Sequence, residues 1–442
     1  MADAAAAPAG GPGVGGGAVG GPGVGDLLDL EVGRVAHGGH CVARADGRVV
    51  FVRHAIPGER VTAVVTEGGE GDRFLRADAV AVLDGSADRV PPPCPHAVPG
   101  GCGGCDLQHV AVPRQRTLKA EVVREQLARL AGLDLDVTVE PLPGSEDGLG
   151  WRTRVELALD PAGRPGLHRH RSHEVVPLDR CLIAAPEVLG TGVLERGWPG
   201  EQAVDVVVPS VGEPVVVTVP SGDADAPRVI ERVDAQRLHA DFELSARGFW
   251  QVHRAAAATL TDAVLDMVRP AAGERVLDLY AGVGLFAAAL AEAVGEDGRV
   301  VAVESDRAAA AWAQSNLGRW PWAHVLAGRV DDAFGVARPA RRGPAERRRT
   351  RPRRLHRHPL LPPSADVVVL DPTRTGAGRA VVEAIADLAP RAVGYVACDP
   401  AALARDTAYL AAGGYALTGL RAFDAFPMTH HVECVALFTP RT

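Results

Sequence analysis

Val276-Leu277-Asp278-Leu279-Tyr280-Ala281-Gly282-Val283-Gly284 decides the fold. A short apolar run, Arg275–Leu279, enters a glycine-rich turn, and residues 285–293 beyond it read as a helix. Five apolar-rich residues bounded by a turn are consistent with a strand buried on both faces of a sheet. Glycines let the main chain turn sharply and approach a ligand closely. In open α/β sheets, ligands bind in the crevice beyond the carboxyl ends of the strands.

Working outward, residues 300–303 form the next strand, which ends at Glu304, 20 residues after Gly284. A carboxylate there can bond both hydroxyls of a ribose. The loop reads Ala281-Gly282-Val283-Gly284-Leu285-Phe286 and not GxGxxG. That favours a nucleoside cofactor such as S-adenosylmethionine over a dinucleotide. Residues 255–268 read as a preceding helix, and 367–370, 393–396 and 435–438 as further strands with helices between them. The alternation predicts a parallel α/β sheet over 246–442.

Three side chains follow these strands. Cys398, in Tyr395-Val396-Ala397-Cys398-Asp399-Pro400, is placed at the carboxyl edge of the sheet, where a thiolate could attack an electrophilic carbon. A lone cysteine is otherwise most often a buried, inert side chain. Asp371, in Asp371-Pro372-Thr373-Arg374, would point into the same crevice, or merely cap a turn. Glu433, in Phe426-Pro427-Met428-Thr429-His430-His431-Val432-Glu433, enters the last strand as a candidate general base, or as a surface acid.

Toward the N-terminus the grammar differs. Residues 1–25 are almost wholly Gly, Ala, Pro and Val, and are expected to be a disordered tail. Residues 26–85 show short β-type runs punctuated by Gly38-Gly39, Asp46-Gly47 and Pro57-Gly58, which suggests a small barrel. Residues 86–245 are expected to form a β-rich central domain, with an amphipathic helix at 114–131. Within it, segment 91–109 has neither helical nor strand period and needs an external staple. Cys94, Cys102 and Cys105 in that segment, with Cys181 later, supply four thiols. Four thiolates can hold a [4Fe–4S] cluster or a zinc ion. The spacing is not the C-x3-C-x2-C of radical enzymes.

Composition sets outer limits. Apolar residues make up 47% of 442, enough for about three domains of roughly 150 residues. This excludes a disulfide mini-protein and a wholly disordered chain. The seven cysteines, an odd number with three clustered, suit metal binding or catalysis better than disulfides. No apolar run reaches the roughly 18 residues of a membrane span, and no secretion signal is legible, so a cytoplasmic chain is expected. Net charge is −8. Lys119 is the only lysine, and the arginine bias matches GC-rich coding. Ten arginines fall in 335–363, which reads as a disordered insertion; gripping RNA phosphates is its alternative use. The remainder carries 37 basic against 54 acidic residues, so a polyanion would have to be held by local patches.

Taken in order, these motifs resemble the RNA 5-methyluridine methyltransferase family from about residue 26 onward. Phe51-Val52 and Ile56-Pro57-Gly58-Glu59 look like a TRAM domain, an OB-like RNA-binding barrel. Residues 94–109 resemble the family's iron–sulfur segment, and Phe249-Trp250-Gln251-Val252-His253 its F-x-Q-V-N motif. The resemblance implies a Rossmann-like methyltransferase domain behind the barrel and the central domain. It implies that Gln251, Tyr280, Glu304 and Asp371 bind S-adenosylmethionine, with Asp331 near the adenine. It makes Cys398 the nucleophile, Glu433 the base, and Cys94, Cys102, Cys105 and Cys181 the ligands of a [4Fe–4S] cluster rather than zinc. The implied reaction is methylation of carbon 5 of an unpaired or flipped uridine in rRNA or tRNA through a covalent Cys–uracil adduct. The alternative is an RNA-binding, cluster-containing module with an inactive methyltransferase fold. DNA cytosine-5 methylation uses a Cys–Pro nucleophile, whereas Asp399 intervenes here. RNA is the implied partner, with no membrane and no obligate protein partner. Departures from the family pattern are His253 for a usual Asn, Thr373 for a usual Pro, and Ala-Cys-Asp-Pro where Ser-Cys-Asn-Pro is common.

Overall fold

The computed structural model describes residues 21–219, 226–336 and 356–441. Residues 1–20 of the expected tail and 337–355 of the expected insertion lie outside the described residues.

The barrel comprises β1 (Leu27–Glu31), β2 (Cys41–Ala45), β3 (Arg48–Arg53), β4 (Arg60–Glu67) and β5 (Phe74–Asp84), in the order β1-β4-β5-β3-β2. Strands place alternate side chains on opposite faces, so Val61, Ala63 and Val65 of β4 turn inward against Leu30, Val50, Val52 and Leu75. The edges meet where Gly33 N–H donates to Val42 O and Val42 N–H to Arg34 O. Residues 21–25, read as tail, already belong here: Gly25 N–H donates to Val65 O.

Helix α1 (Val112–Gln126) opens with Pro113 in its first turn, where the missing N–H costs nothing. It leads to β6 (Val139–Pro141). The central sheet holds β7 (Arg154–Leu159), β8 (Pro165–His168), β9 (Val175–Pro177), β10 (Ala203–Val207) and β11 (Val215–Val219), with the short helix α2 (Pro186–Gly190) after β9. Its order is β11-β10-β7-β8-β9. A hairpin, β12 (Arg228–Ala235) and β13 (Leu238–Ser245), connects it to the last unit.

That unit runs α3 (Ala256–Val268), β14 (Arg275–Leu279), α4 (Leu285–Val294), β15 (Arg299–Glu304), α5 (Arg307–Asn316), β16 (Ala323–Ala327), α6 (Val330–Phe334), β17 (Val367–Leu370), α7 (Arg379–Ala386), β18 (Ala392–Ala397), α8 (Pro400–Ala412), β19 (Tyr415–Asp424) and β20 (Glu433–Pro440). The eight strands stand in the order β16-β15-β14-β17-β18-β20-β19-β6. Helices cover both faces. Val276, Val300, Val367 and Val369 pack on the side of α3 and α4, and Leu277, Leu279, Val301 and Val368 on the side of α7 and α8.

Three further features differ from the sequence reading. The sheet is mixed, because β20 runs antiparallel to both β18 and β19. The β20 strand is therefore entered at the carboxyl edge of the parallel strands, and its first residue, not its last, faces the crevice. Secondly, β6, expected in the central domain, pairs in parallel with β19 and covers that open edge. The described end of the arginine-rich segment is also folded: His358 N–H donates to Ala333 O, Leu361 is buried, and Arg357 stacks over Phe334.

Candidate active site

The turn after β14 is shaped by its backbone. Tyr280 adopts φ +63° and Gly282 φ +55°. The left-handed region is unfavourable for a bulky residue such as Tyr280 and marks stored strain. A Cβ on Gly282 would meet nothing within 4 Å, so this glycine faces open space. Glu304, at the end of β15, reaches back to the turn. Its Oε2 accepts from Gly282 N–H (2.9 Å), and its Oε1 from Asp306 N–H (2.6 Å) and Ser305 Oγ (3.2 Å). The carboxylate thus locks the loop while Oε2 keeps lone-pair capacity for a ribose hydroxyl. Beneath the turn, Asp278 is fully buried with neither carboxylate oxygen directly hydrogen-bonded. Burial, with Asp371 and Glu304 nearby, holds its pKa well above the usual carboxylate range. Burial, then the Asp331 charge of α6, raises the Tyr280 phenol.

Gln251 lies half-buried between β13 and α3, in a segment held to the central domain by Thr153 N–H and Oγ1 donating to Val252 O (2.8 and 2.9 Å). His253 faces the interior. It stacks on Trp151, its Nδ1 accepts from Ala255 N–H, and its Nε2 bonds Ser145 Oγ at 2.8 Å. Burial pushes its pKa down to about 4, so it is neutral.

Asp371 follows β17, with its N–H donating to Leu279 O (3.2 Å) across the mouth of the sheet. The β18–β20 register pairs Ala397 with Cys434, so the next positions outward, Cys398 and Glu433, stand opposite each other. The antiparallel strand is what brings them together. Burial, then Asp371, pushes Glu433 well above the usual carboxylate range, and burial pushes Asp371 up to about 7. Burial and the two acids raise the Cys398 thiol to about 11, against the opposing pull of Arg374. Three proton-bearing groups therefore face one crevice beside the Gly282 loop. Their perturbed acidities make it the candidate functional site.

Two supporting acids escaped the sequence reading. Asp406 of α8 is fully buried. Its Oδ2 accepts from Ala377 N–H (2.7 Å), Gly378 N–H (3.1 Å) and the Tyr395 hydroxyl (2.8 Å), fixing the loop that follows Asp371. Its place among Leu403, Thr407 and Leu410 on the apolar stripe was the signal. Asp424, the last residue of β19, pairs with Lys119 of α1 at 2.5 Å, both side chains within 2% of full burial. There the signal was the chain's only lysine on the inner face of a helix.

Residues 225–441 match the model of the tRNA (uracil-5-)-methyltransferase family, and residues 23–80 that of the TRAM domain. An uncharacterized RNA methyltransferase of Streptomyces avermitilis is 46% identical, over 94% of this chain and 99% of its own length. The 23S rRNA (uracil(1939)-C(5))-methyltransferase RlmD of Halomonas elongata is 32% identical, over 92% of this chain and 89% of its own. The chain belongs to the RNA (uracil-5-)-methyltransferase family. The fold agrees over most of the chain. The structure of Pyrococcus abyssi tRNA (uracil-54, C5)-methyltransferase with S-adenosyl-L-homocysteine superposes with TM-score 0.62 at 20% identity, over 93% of this chain and all of that one.

This methyltransferase carries a second grouping of side chains away from the crevice. Cys94, Cys102, Cys105 and Cys181 line one small pocket with the apolar Leu167, Leu178 and Ile183. Gly104 N–H donates to Cys102 Sγ (3.3 Å) and Gln108 Nε2–H to Cys105 Sγ (3.2 Å). Burial raises the Cys102 thiol to about 11 and lifts Cys105 and Cys181 too. A bound metal centre reverses that trend by stabilising thiolates. Among the described residues no group of three or more His, Cys, Asp or Glu is placed to hold a metal ion. Also among them, no helix is long and apolar enough to cross a membrane.

Proposed function

We propose that this chain methylates carbon 5 of a uridine in rRNA or tRNA through a covalent adduct on Cys398, with Glu433 as the base. The observation that carries the reading is the cross-strand opposition of Cys398 and Glu433 at the mouth of the sheet, beside the Gly282–Glu304 loop.

S-Adenosylmethionine supplies an electrophilic methyl carbon on a sulfonium. Its holders would be Glu304 for the ribose, with Gln251, Tyr280 and Asp371 around the rest; open space at Gly282 suits close approach of the cofactor. Carbon 5 of uracil is a poor nucleophile by itself. The Cys398 thiolate adds to carbon 6, and the C5=C6 electron pair moves toward carbon 5 and its conjugated carbonyl. Carbon 5 would then take the methyl group as the methyl–sulfonium bond breaks, its electron pair staying on sulfur in S-adenosylhomocysteine. Glu433, in its ionised form, removes the proton from carbon 5. The electron pair returns to C5=C6 as the C6–S bond breaks, and Cys398 leaves as a thiolate. A low-dielectric crevice strengthens each of these electrostatic effects. Both faces of the base must be reachable, so the target uridine enters unpaired or flipped.

We assign a [4Fe–4S] cluster to the four-cysteine pocket, held by Cys94, Cys102, Cys105 and Cys181. The donor set is wholly thiol, and two N–H groups point at sulfur. Its role is structural: it orders segment 91–109, whose backbone meets the loop before Glu433 where Asp106 and Leu107 N–H groups donate to Met428 O.

The test is transfer of labelled methyl from S-adenosylmethionine to total RNA from a strain lacking the gene, with nucleosides analysed by mass spectrometry. 5-Methyluridine in one RNA class is expected. Methylation of another base, or none by folded, cluster-loaded protein, overturns the reading.

A further inference from the structure

The barrel reaches the catalytic edge. Its loop between β1 and β2 carries His37, whose Nε2 lies 3.0 Å from Asp399 Oδ2. Asp399 is the residue after Cys398, and its Oδ1 caps α8 by accepting from Ala402 N–H at 2.8 Å. One carboxylate is thus shared between the first turn of the helix behind the nucleophile and a side chain from another domain. The same loop is wedged in place: a Cβ on Gly39 would stand 2.7 Å from His430 Cβ and 3.3 Å from Asp106 Cβ, and Gly39 sits at φ +78°. Arg34, also in this loop, pairs with Glu125 of α1.

The charges around Cys398 make the contact consequential. Glu433, Asp371 and Asp399 all disfavour its thiolate, and Arg374 is the cation that opposes them. Asp399 in turn faces His37, which is the group that can cancel its charge. We infer that His37 is a positioning residue for the nucleophile: by pairing with Asp399 it cancels the negative charge of the residue next to Cys398, so that seating of the barrel governs thiolate formation. This rests on the reading of Cys398 as the nucleophile. Hydrogen bonding to Asp399 raises the imidazole's pKa, so the ion pair is complete below about pH 6.5 and is lost as pH rises through the raised value.

The test is alkylation of Cys398 by iodoacetamide as a function of pH in the full, cluster-loaded chain, followed on its peptide by mass spectrometry, which needs no RNA. In His37→Ala the rate at pH 6, where His37 is protonated in the parent, should fall about threefold, equal to roughly half a pKa unit, and the difference should vanish at pH 9, where His37 is neutral in the parent. His37→Gln, which keeps the size and a hydrogen bond but not the charge, should behave alike. Asp399→Asn should shift the midpoint down, and adding His37→Ala to it should change nothing further. An unchanged rate at pH 6 in either His37 variant overturns the inference. So does an equal loss in the Asp399→Asn background, which would make the role of His37 steric. Failure of the parent reading shows separately, as methyl transfer that survives Cys398→Ser.

Discussion

Replacing Lys119 by Met isolates the buried ion pair that ties α1 to the end of β19. The Lys119 ammonium lies 2.5 Å from Asp424 Oδ1 and 3.0 Å from Phe426 O, with 1% and 2% of the two charged side chains exposed. Removing one member strands a buried charge, a change that costs roughly 3–5 kcal/mol in comparable sites. The stranded carboxyl has an escape, since it can take up a proton. From an ordinary carboxyl value of about 3.9, protonation at pH 7 costs about 4 kcal/mol, and at pH 5 only about 1.5 kcal/mol. In the variant the folded-state pKa is raised above the unfolded one, so stability falls as pH rises from about 4. The deficit against the parent should therefore be about 4 kcal/mol at pH 7, or roughly 8–16 °C in Tm, and should shrink by more than half at pH 5. The assay is thermal unfolding at both pH values. Lys119→Met combined with Asp424→Leu should recover much of the loss, because no charge is then left buried. A deficit independent of pH, or a double variant worse than the single one, would refute this reasoning and assign the loss to packing.

Other outcomes follow from the same geometry. Glu304→Ala should weaken S-adenosylmethionine binding about 10- to 100-fold by calorimetry, the scale of one charge-assisted hydrogen bond plus a loosened Gly282 loop. Asp371→Asn should let Glu433 ionise at lower pH, moving the acidic limb of the kcat profile downward. It should also flatten a decline in stability between about pH 4 and pH 7, because the Asp371 pKa is raised to about 7 on folding. Cys102→Ala or Cys181→Ala should remove bound iron and sulfide and open segment 91–109 to proteolysis; full iron content in either variant would reject its place in the ligand set.

The sequence was most legible where local rules and tertiary fate agree. The run from Arg275 to Gly284 needed only a buried strand, a glycine turn and a helix, and Glu304 followed from strand spacing. The strands ending at Asp371 and Cys398 were legible for the same reason. The direction of β20 was not, because an apolar run carries no sign of its polarity, and that polarity is what sets Glu433 against Cys398. Nor was β6: three residues are too few for a period, and the edge of β19 they cover lies nearly 300 positions away in the chain. The His37–Asp399 and Lys119–Asp424 contacts are long-range pairings of ordinary charged residues, visible only once the barrel and α1 are docked.

The covalent step is tested most directly by trapping it. In Glu433→Gln the methyl group can be transferred while the proton on carbon 5 cannot be removed, so the adduct has no way to collapse. Incubated with S-adenosylmethionine and substrate RNA, this variant should accumulate a denaturation-resistant protein–RNA complex. Digestion should then give a peptide carrying a 5-methylated uridine on Cys398. Attachment at another residue, or 5-methyluridine formed by Cys398→Ser, would contradict the account.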